Sequence, residues 1–94
     1  MTAVTRLGDE GSPHDDFPQH PSITASTDVF INGLGVVRIG DNYAVHSNNH
    51  TSHSGNLSQG SPNVYANNLP VGRIGDSISC GGVVIEGSLN VFAN

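Results

Sequence analysis

The sequence has no tryptophan, no lysine, one methionine and one cysteine, and its aromatic content is three Phe and two Tyr in 94 residues. A single cysteine excludes an intramolecular disulfide, so bridges neither staple the chain nor report its redox compartment. Three arginines are the whole basic inventory and the formal net charge is −5. That leaves no electrostatic footprint for nucleic acid or for an anionic lipid surface. The longest apolar runs, "VVIE" and "DVFI", fall far short of a membrane span. The opening "MTAVTRLGDEGSP" lacks the basic and apolar regions of a signal peptide, so a soluble chain is expected. Gly, Pro, Asn and Ser interrupt every window long enough to carry a helical period, which excludes helices as the main element.

What remains is a single small domain over residues 1–94, with 35% apolar residues to build its core. That is thin material, and with disulfides excluded the missing stability points to a metal or a partner.

The most informative feature is a repeat. "STDVFINGLGVVRIGD" at 26–41 aligns without a gap on "SPNVYANNLPVGRIGD" at 61–76, keeping Ser26/Ser61, Val29/Val64, Asn32/Asn67, Arg38/Arg73 and Asp41/Asp76 in step. Each copy reads as a β-hairpin: an alternating strand, an "NG" or "NN" turn suited to φ > 0, and a second strand running to Gly-Asp. A third copy is split between the chain ends. "GSLNVFAN" at 87–94 supplies its first half and "AVTRLGD" at 3–9 its second. Pairing of the termini would close three similar β units around a pseudo-threefold axis, each with one arginine. The expected fold is therefore all-β.

Counting forward from the three aspartates, His14 lies five residues after Asp9, His46 five after Asp41 and Cys80 four after Asp76. A pseudo-threefold axis brings equivalent positions together, so His14, His46 and Cys80 are expected to converge, with His53 as the fourth group. Three imidazoles and a thiolate are a tetrahedral zinc set, and four protein ligands make a structural site rather than a catalytic one. One zinc ion is expected, with iron as second choice because a thiolate without a carboxylate partner favours zinc. His20 and His50 lie outside this register and default to solvated loops, although either can stand in for His53; Asp15 and Asp16 read as a solvated acidic turn.

Enzymatic signatures are missing: there is no Gly-x-Ser-x-Gly elbow, no His-Glu-x-x-His helix and no phosphate-cradling strand-helix unit. The register makes Cys80 a ligand rather than a nucleophile. No catalytic residue and no small-molecule substrate are expected; a small zinc hydrolase with an open coordination position is the competing enzyme class.

Taken together, "RLGD", the two "RIGD" copies, the "SPNV" and "SLNV" strand openings, "HPSI", "VHSNNHTSHSGNLSQGSPNV" and "SISCGGVVIEGSLNVFAN" resemble the PAAR-repeat proteins that sharpen the tip of contractile injection machines. The naming tetrapeptide itself is degenerate, "PVGR" at Pro70–Arg73 and "GVVR" at Gly35–Arg38. The resemblance implies a short cone of β-hairpins with zinc near its apex. Its base would sit on a trimeric β-helical spike, one copy per trimer, and the tip would help to pierce a target outer membrane. Val4, Val29, Phe30, Val64, Val91 and Phe92 are then candidates for the base. The implied setting is the tip of a phage tail baseplate, within the virion, with a type VI secretion spike tip or effector adaptor as the alternative. The last repeat closes at Asn94, so no fused effector is expected.

Overall fold

The computed structural model describes residues 1–94 and contains strands and turns but no helix. The body is elongated, 38 × 24 × 20 Å. Ten short strands form five antiparallel pairs. Three of these pairs are the predicted units. β4 (Phe30–Ile31) pairs with β5 (Leu34–Gly35), and β8 (Tyr65–Ala66) with β9 (Leu69–Pro70). β1 (Thr2–Ala3) pairs with β10 (Phe92–Ala93), so the chain ends do close the third unit. The turns have φ > 0 at both central residues, 54° and 78° at Asn32 and Gly33, 53° and 66° at Asn67 and Asn68. Both are the mirror-image turns that match strand twist in a two-residue hairpin.

The second strands are shorter than the sequence pattern implies: each ends well before Gly-Asp, because the chain crosses to a neighbouring unit. Arg6 bridges Val36, Arg38 bridges Val71 and Arg73 bridges Val4. On the axis these crossings close a ring of backbone hydrogen bonds. Thr5 N–H donates to the Gly72 carbonyl at 3.0 Å, Gly72 N–H to Val37 at 2.8 Å, and Val37 N–H to Thr5 at 3.2 Å. Each of the three residues immediately precedes a repeat arginine.

Past this ring, Arg-x-Gly-Asp forms the same turn three times. Glycine takes φ of 91°, 95° and 93° at Gly8, Gly40 and Gly75, a conformation an L side chain rarely adopts. The arginine Nε of each turn lies 2.9–3.0 Å from the aspartate Oδ2, which also accepts the arginine's own backbone N–H at 2.8 Å. All three aspartates are buried, so the fork neutralises charges that would otherwise be costly to bury. Arg6 and Arg38 reach further, to the turn asparagines Asn32 and Asn67 of the next unit. Ser26, Ser61 and Ser88 cap the hairpin starts by accepting the N–H groups two and three residues on.

Two apolar clusters flank the ring. Val4, Val36, Ala66, Val71 and Ala93 pack under the three hairpins, with Ile31 and Val91 against them. Val37, Tyr43, Leu57, Ile78 and Val84 fill the other side. Equivalent positions differ in size so that the volume near the axis is filled once. Where Thr5 and Val37 carry side chains Gly72 has none, and a Cβ there would stand 2.5 Å from Leu57 Cδ2 and 2.9 Å from Thr5 Cγ2. Beyond the second cluster, β2 (Glu10–Gly11) pairs with β3 (His20–Pro21), and β6 (Asn42–Ser47) with β7 (Ser52–Asn56) in the longest hairpin.

Gly72→Ala is expected to cost about 1–3 kcal/mol through overpacking. At roughly 4–8 °C of Tm per kcal/mol for a domain of this size, a thermal melt resolves it easily; a melt unchanged from the parent would contradict the close-packed axis.

Candidate metal centre

The segments that leave the three Arg-x-Gly-Asp turns, two of them as β2 and β6, run on to one end of the molecule. There His14, His20, His46 and Cys80 each place a ligand atom within 4.8 Å of all the others. His14, His46 and Cys80 are the register residues of the sequence argument. His20 stands where that argument put His53. It is not a solvated loop residue: it lies on β3, pairs across from Gly11, and is 1% exposed. His50 is exposed on the β6–β7 turn, away from the cluster.

The place of His20 has a physical logic visible in the return strands. The backbone N–H groups of Ser22, Leu57 and Val84 donate to the carbonyls of Asp9, Asp41 and Asp76, which makes these three residues equivalent. Two residues before them stand His20, Gly55 and Gly82. A Cβ on Gly55 would be 3.0 Å from Cys80 Sγ, and one on Gly82 would be 3.3 Å from His14 Nδ1. Two of the equivalent positions are therefore emptied to admit register ligands, and the third supplies a ligand itself. Aligning the return strands as well as the outgoing ones is the signal that finds His20.

The imidazoles are oriented alike. Nδ1 of His14, His20 and His46 faces the carbonyl two residues earlier, of Ser12 at 3.4 Å, Pro18 at 3.0 Å and Ala44 at 2.8 Å. A carbonyl can only accept, so Nδ1 carries the proton and the Nε2 lone pair is left free, as metal-ligating histidines are held. The buried His46 Nε2 has no hydrogen-bond partner. A buried nitrogen acceptor without a partner is costly, and a cation beside it removes that cost. Cys80 Sγ lies 3.8 Å from His20 Nε2, close to the roughly 3.6 Å edge of a tetrahedral zinc site with one nitrogen and one sulfur. The donor set fits zinc.

His53 is half-buried on β7, opposite His46. Its Nε2 is 3.0 Å from His14 Nε2, and its ring lies parallel to that of His14 and stacks on Phe17 at 3.9 Å. It touches the cluster without joining the mutually close set. Asp15 and Asp16 occupy a tight turn, with φ of 46° and 66°, that closes the short loop from His14 to Phe17; both are exposed, as expected of a solvated acidic turn.

Burial pushes the His20 imidazole below its ordinary value of 6.5, opposed by the Pro18 carbonyl and reinforced by His46, His14 and His53. His53 is lowered as well, by loss of solvent first and then by His46 and His14. In metal-free protein the unfolded chain then binds protons that the folded chain refuses. This stability is fully present above about pH 6.5 and falls as pH drops below it. The melting temperature of chelated protein is expected to be lower at pH 5.5 than at pH 7.5, and a flat profile between them would contradict the lowered His20 and His53 imidazoles.

Comparison with known proteins agrees with this architecture. A search of curated proteins returns no match. The family model for the PAAR motif matches residues 47–94. That half carries the second unit, the first strand of the third, His53 and Cys80, and the pseudo-threefold hydrogen-bond pattern extends the same unit through residues 1–46. The chain belongs to the PAAR-motif family.

Proposed function

We propose that the protein is the non-enzymatic tip of the central spike of a contractile injection machine, a phage tail or a type VI secretion system. It would sit one copy per trimeric β-helical spike and be braced at its far end by one structural zinc. Membership of the PAAR-motif family supports the spike-tip role. The observation that carries the rest is the axial ring of Thr5, Val37 and Gly72, which gives one chain three equivalent sides to offer to three subunits.

The outer sides of the three hairpins support a seat on such a spike. Phe30 and Phe92 are large exposed apolar side chains, and Tyr65 is their counterpart in the second unit. The sequence reading omitted Tyr65, although it follows Val64 as Phe30 follows Val29 and Phe92 follows Val91. Val29 and Val64 are exposed beside them and complete the proposed surface. Val91 is half-buried against the core, and Val4 is buried in it, so Val4 is removed from the contact set. Aromatic anchors of this kind carry much of the energy of an interface.

At the opposite end, His14, His20, His46 and Cys80 would hold the ion, and His53 stands beside them. These residues come from four separate chain segments. Zinc, when bound, supplies a cross-link among those segments, which resists splaying when the end is driven into a target outer membrane. Four protein donors, with a fifth adjacent, favour a closed structural site over the open position a hydrolase requires.

Two measurements test this reading. Metal analysis of the purified chain is expected to give one zinc per molecule. Chelation should then remove a large part of the thermal stability, since such sites contribute on the order of 10 kcal/mol to small domains. His20→Ala and Cys80→Ser should lower zinc occupancy, whereas His50→Ala should not; equal effects for all three would reject the cluster. With the partner spike, native mass spectrometry should find one copy per trimer, and the Phe30→Asp, Phe92→Asp double variant should bind at least about tenfold more weakly. Unaltered binding would remove these hairpins from the interface.

A further inference from the structure

We infer that His53 is an exchange ligand: the outer donor through which zinc enters and leaves the inner set of His14, His20, His46 and Cys80. This deepens the proposed metal reading and rests on it.

The first ground is a surplus of donors. A structural zinc takes four ligands, and this end of the molecule offers four imidazoles and one thiolate, the fourth imidazole touching the others through His14. The surplus group is His53, because the other four alone have all their ligand atoms within 4.8 Å of one another.

The second ground is position. Two of the inner set are buried and two, His14 and Cys80, are half-buried, so an ion reaches the buried pair past half-buried donors. His20 and His46 are buried and their rings stack on each other at 3.7 Å. Tyr43 sets its ring against His20 from the core side, Cys80 packs on the Gly55 backbone, and His14 lies against Gly82. His53 is half-buried, as His14 is; its Nε2 points at that of His14 from a nearly parallel ring, and it meets the His46 ring at 4.4 Å. Phe17, itself buried, fixes the plane of His53 by stacking on it.

The third ground is distance. His53 Nε2 and His14 Nε2 are 3.0 Å apart. Two nitrogen ligands of one tetrahedral zinc stand about 3.3 Å apart. His53 and His14 can thus grip an ion together before His20, His46 and Cys80 have replaced its waters, and grip it last as it leaves. A group that acts only along this path changes both exchange rates by the same factor and leaves the affinity where it was.

The test uses the full chain, with zinc as the probe and a chromophoric chelator as the competitor. For His53→Ala and the size-conserving His53→Gln, circular dichroism establishes that each variant is folded. Zinc uptake by apo protein and zinc loss to the chelator are then timed, and the equilibrium affinity is measured by competition. The expected result is that both rates fall by about tenfold or more, roughly 1.4 kcal/mol of added barrier, with affinity within about threefold of the parent. Cobalt substituted for zinc should show the same tetrahedral thiolate spectrum in parent and variants. Rates unchanged in both variants would overturn the exchange role. A loss of affinity of ~100-fold with an altered cobalt spectrum would overturn it differently, by making His53 a resident ligand. Parent protein that takes up no zinc would instead refute the underlying metal reading, an outcome distinct from both.

Discussion

Three backbone hydrogen bonds, among Thr5, Val37 and Gly72, hold the fold on its axis. No unit is viable alone, since a hairpin of two-residue strands buries almost nothing and leaves its peptide groups unpaired. The ring resolves this by making each unit the edge partner of the next. Because three units close a circle, these crossings end without an open sheet edge. The arginine turns follow from the same closure: the chain must reverse just after crossing, glycine supplies φ > 0 there, and the Arg–Asp fork satisfies the polar groups that the reversal buries.

Exact symmetry would nonetheless fail at the axis, where three side chains of one size would either clash or leave a void. The molecule breaks symmetry in volume while keeping it in backbone. Thr5, Val37 and Gly72 share one layer, and Gly11, Tyr43 and Ile78 the next; the glycine in each layer stands where a Cβ would strike a neighbour. The same device serves the histidine end, where Gly55 and Gly82 vacate space for Cys80 and His14 while His20 fills the third place. Packing and ligand placement are therefore one problem. The unpartnered Nε2 of buried His46 is a stability deficit that the proposed ion relieves. Stiffness at that end and metal occupancy would rise and fall together.

The two ends of the body divide the chemistry. The hairpin end exposes Phe30, Tyr65 and Phe92 in equivalent positions, a pseudo-threefold apolar surface. The opposite end shows polar residues, with the β6–β7 turn held by Asn48, whose side chain accepts the N–H groups of His50 and Thr51. The hydrogen-bonded turn lies next to the histidine cluster, on the same β6–β7 hairpin that carries His46 and His53.

By itself the sequence determined the all-β class, the three units, the closure of the third by the chain ends, and the convergence of His14, His46 and Cys80. These are legible because backbone periodicity is written in the chain: the repeated Arg-x-Gly-Asp requires the same turn each time, and equivalent positions on a threefold axis must meet. What only the tertiary structure decided lies in departures from the repeat. The burial of His20 beside Cys80, the standing of His53 outside the mutually close set, the early end of each second strand and the burial of Val4 all depend on which side chain of a symmetric trio occupies a shared space. That choice is made by packing between segments far apart in the chain, such as His20 with Cys80 and Gly72 with Thr5, and no local pattern records it.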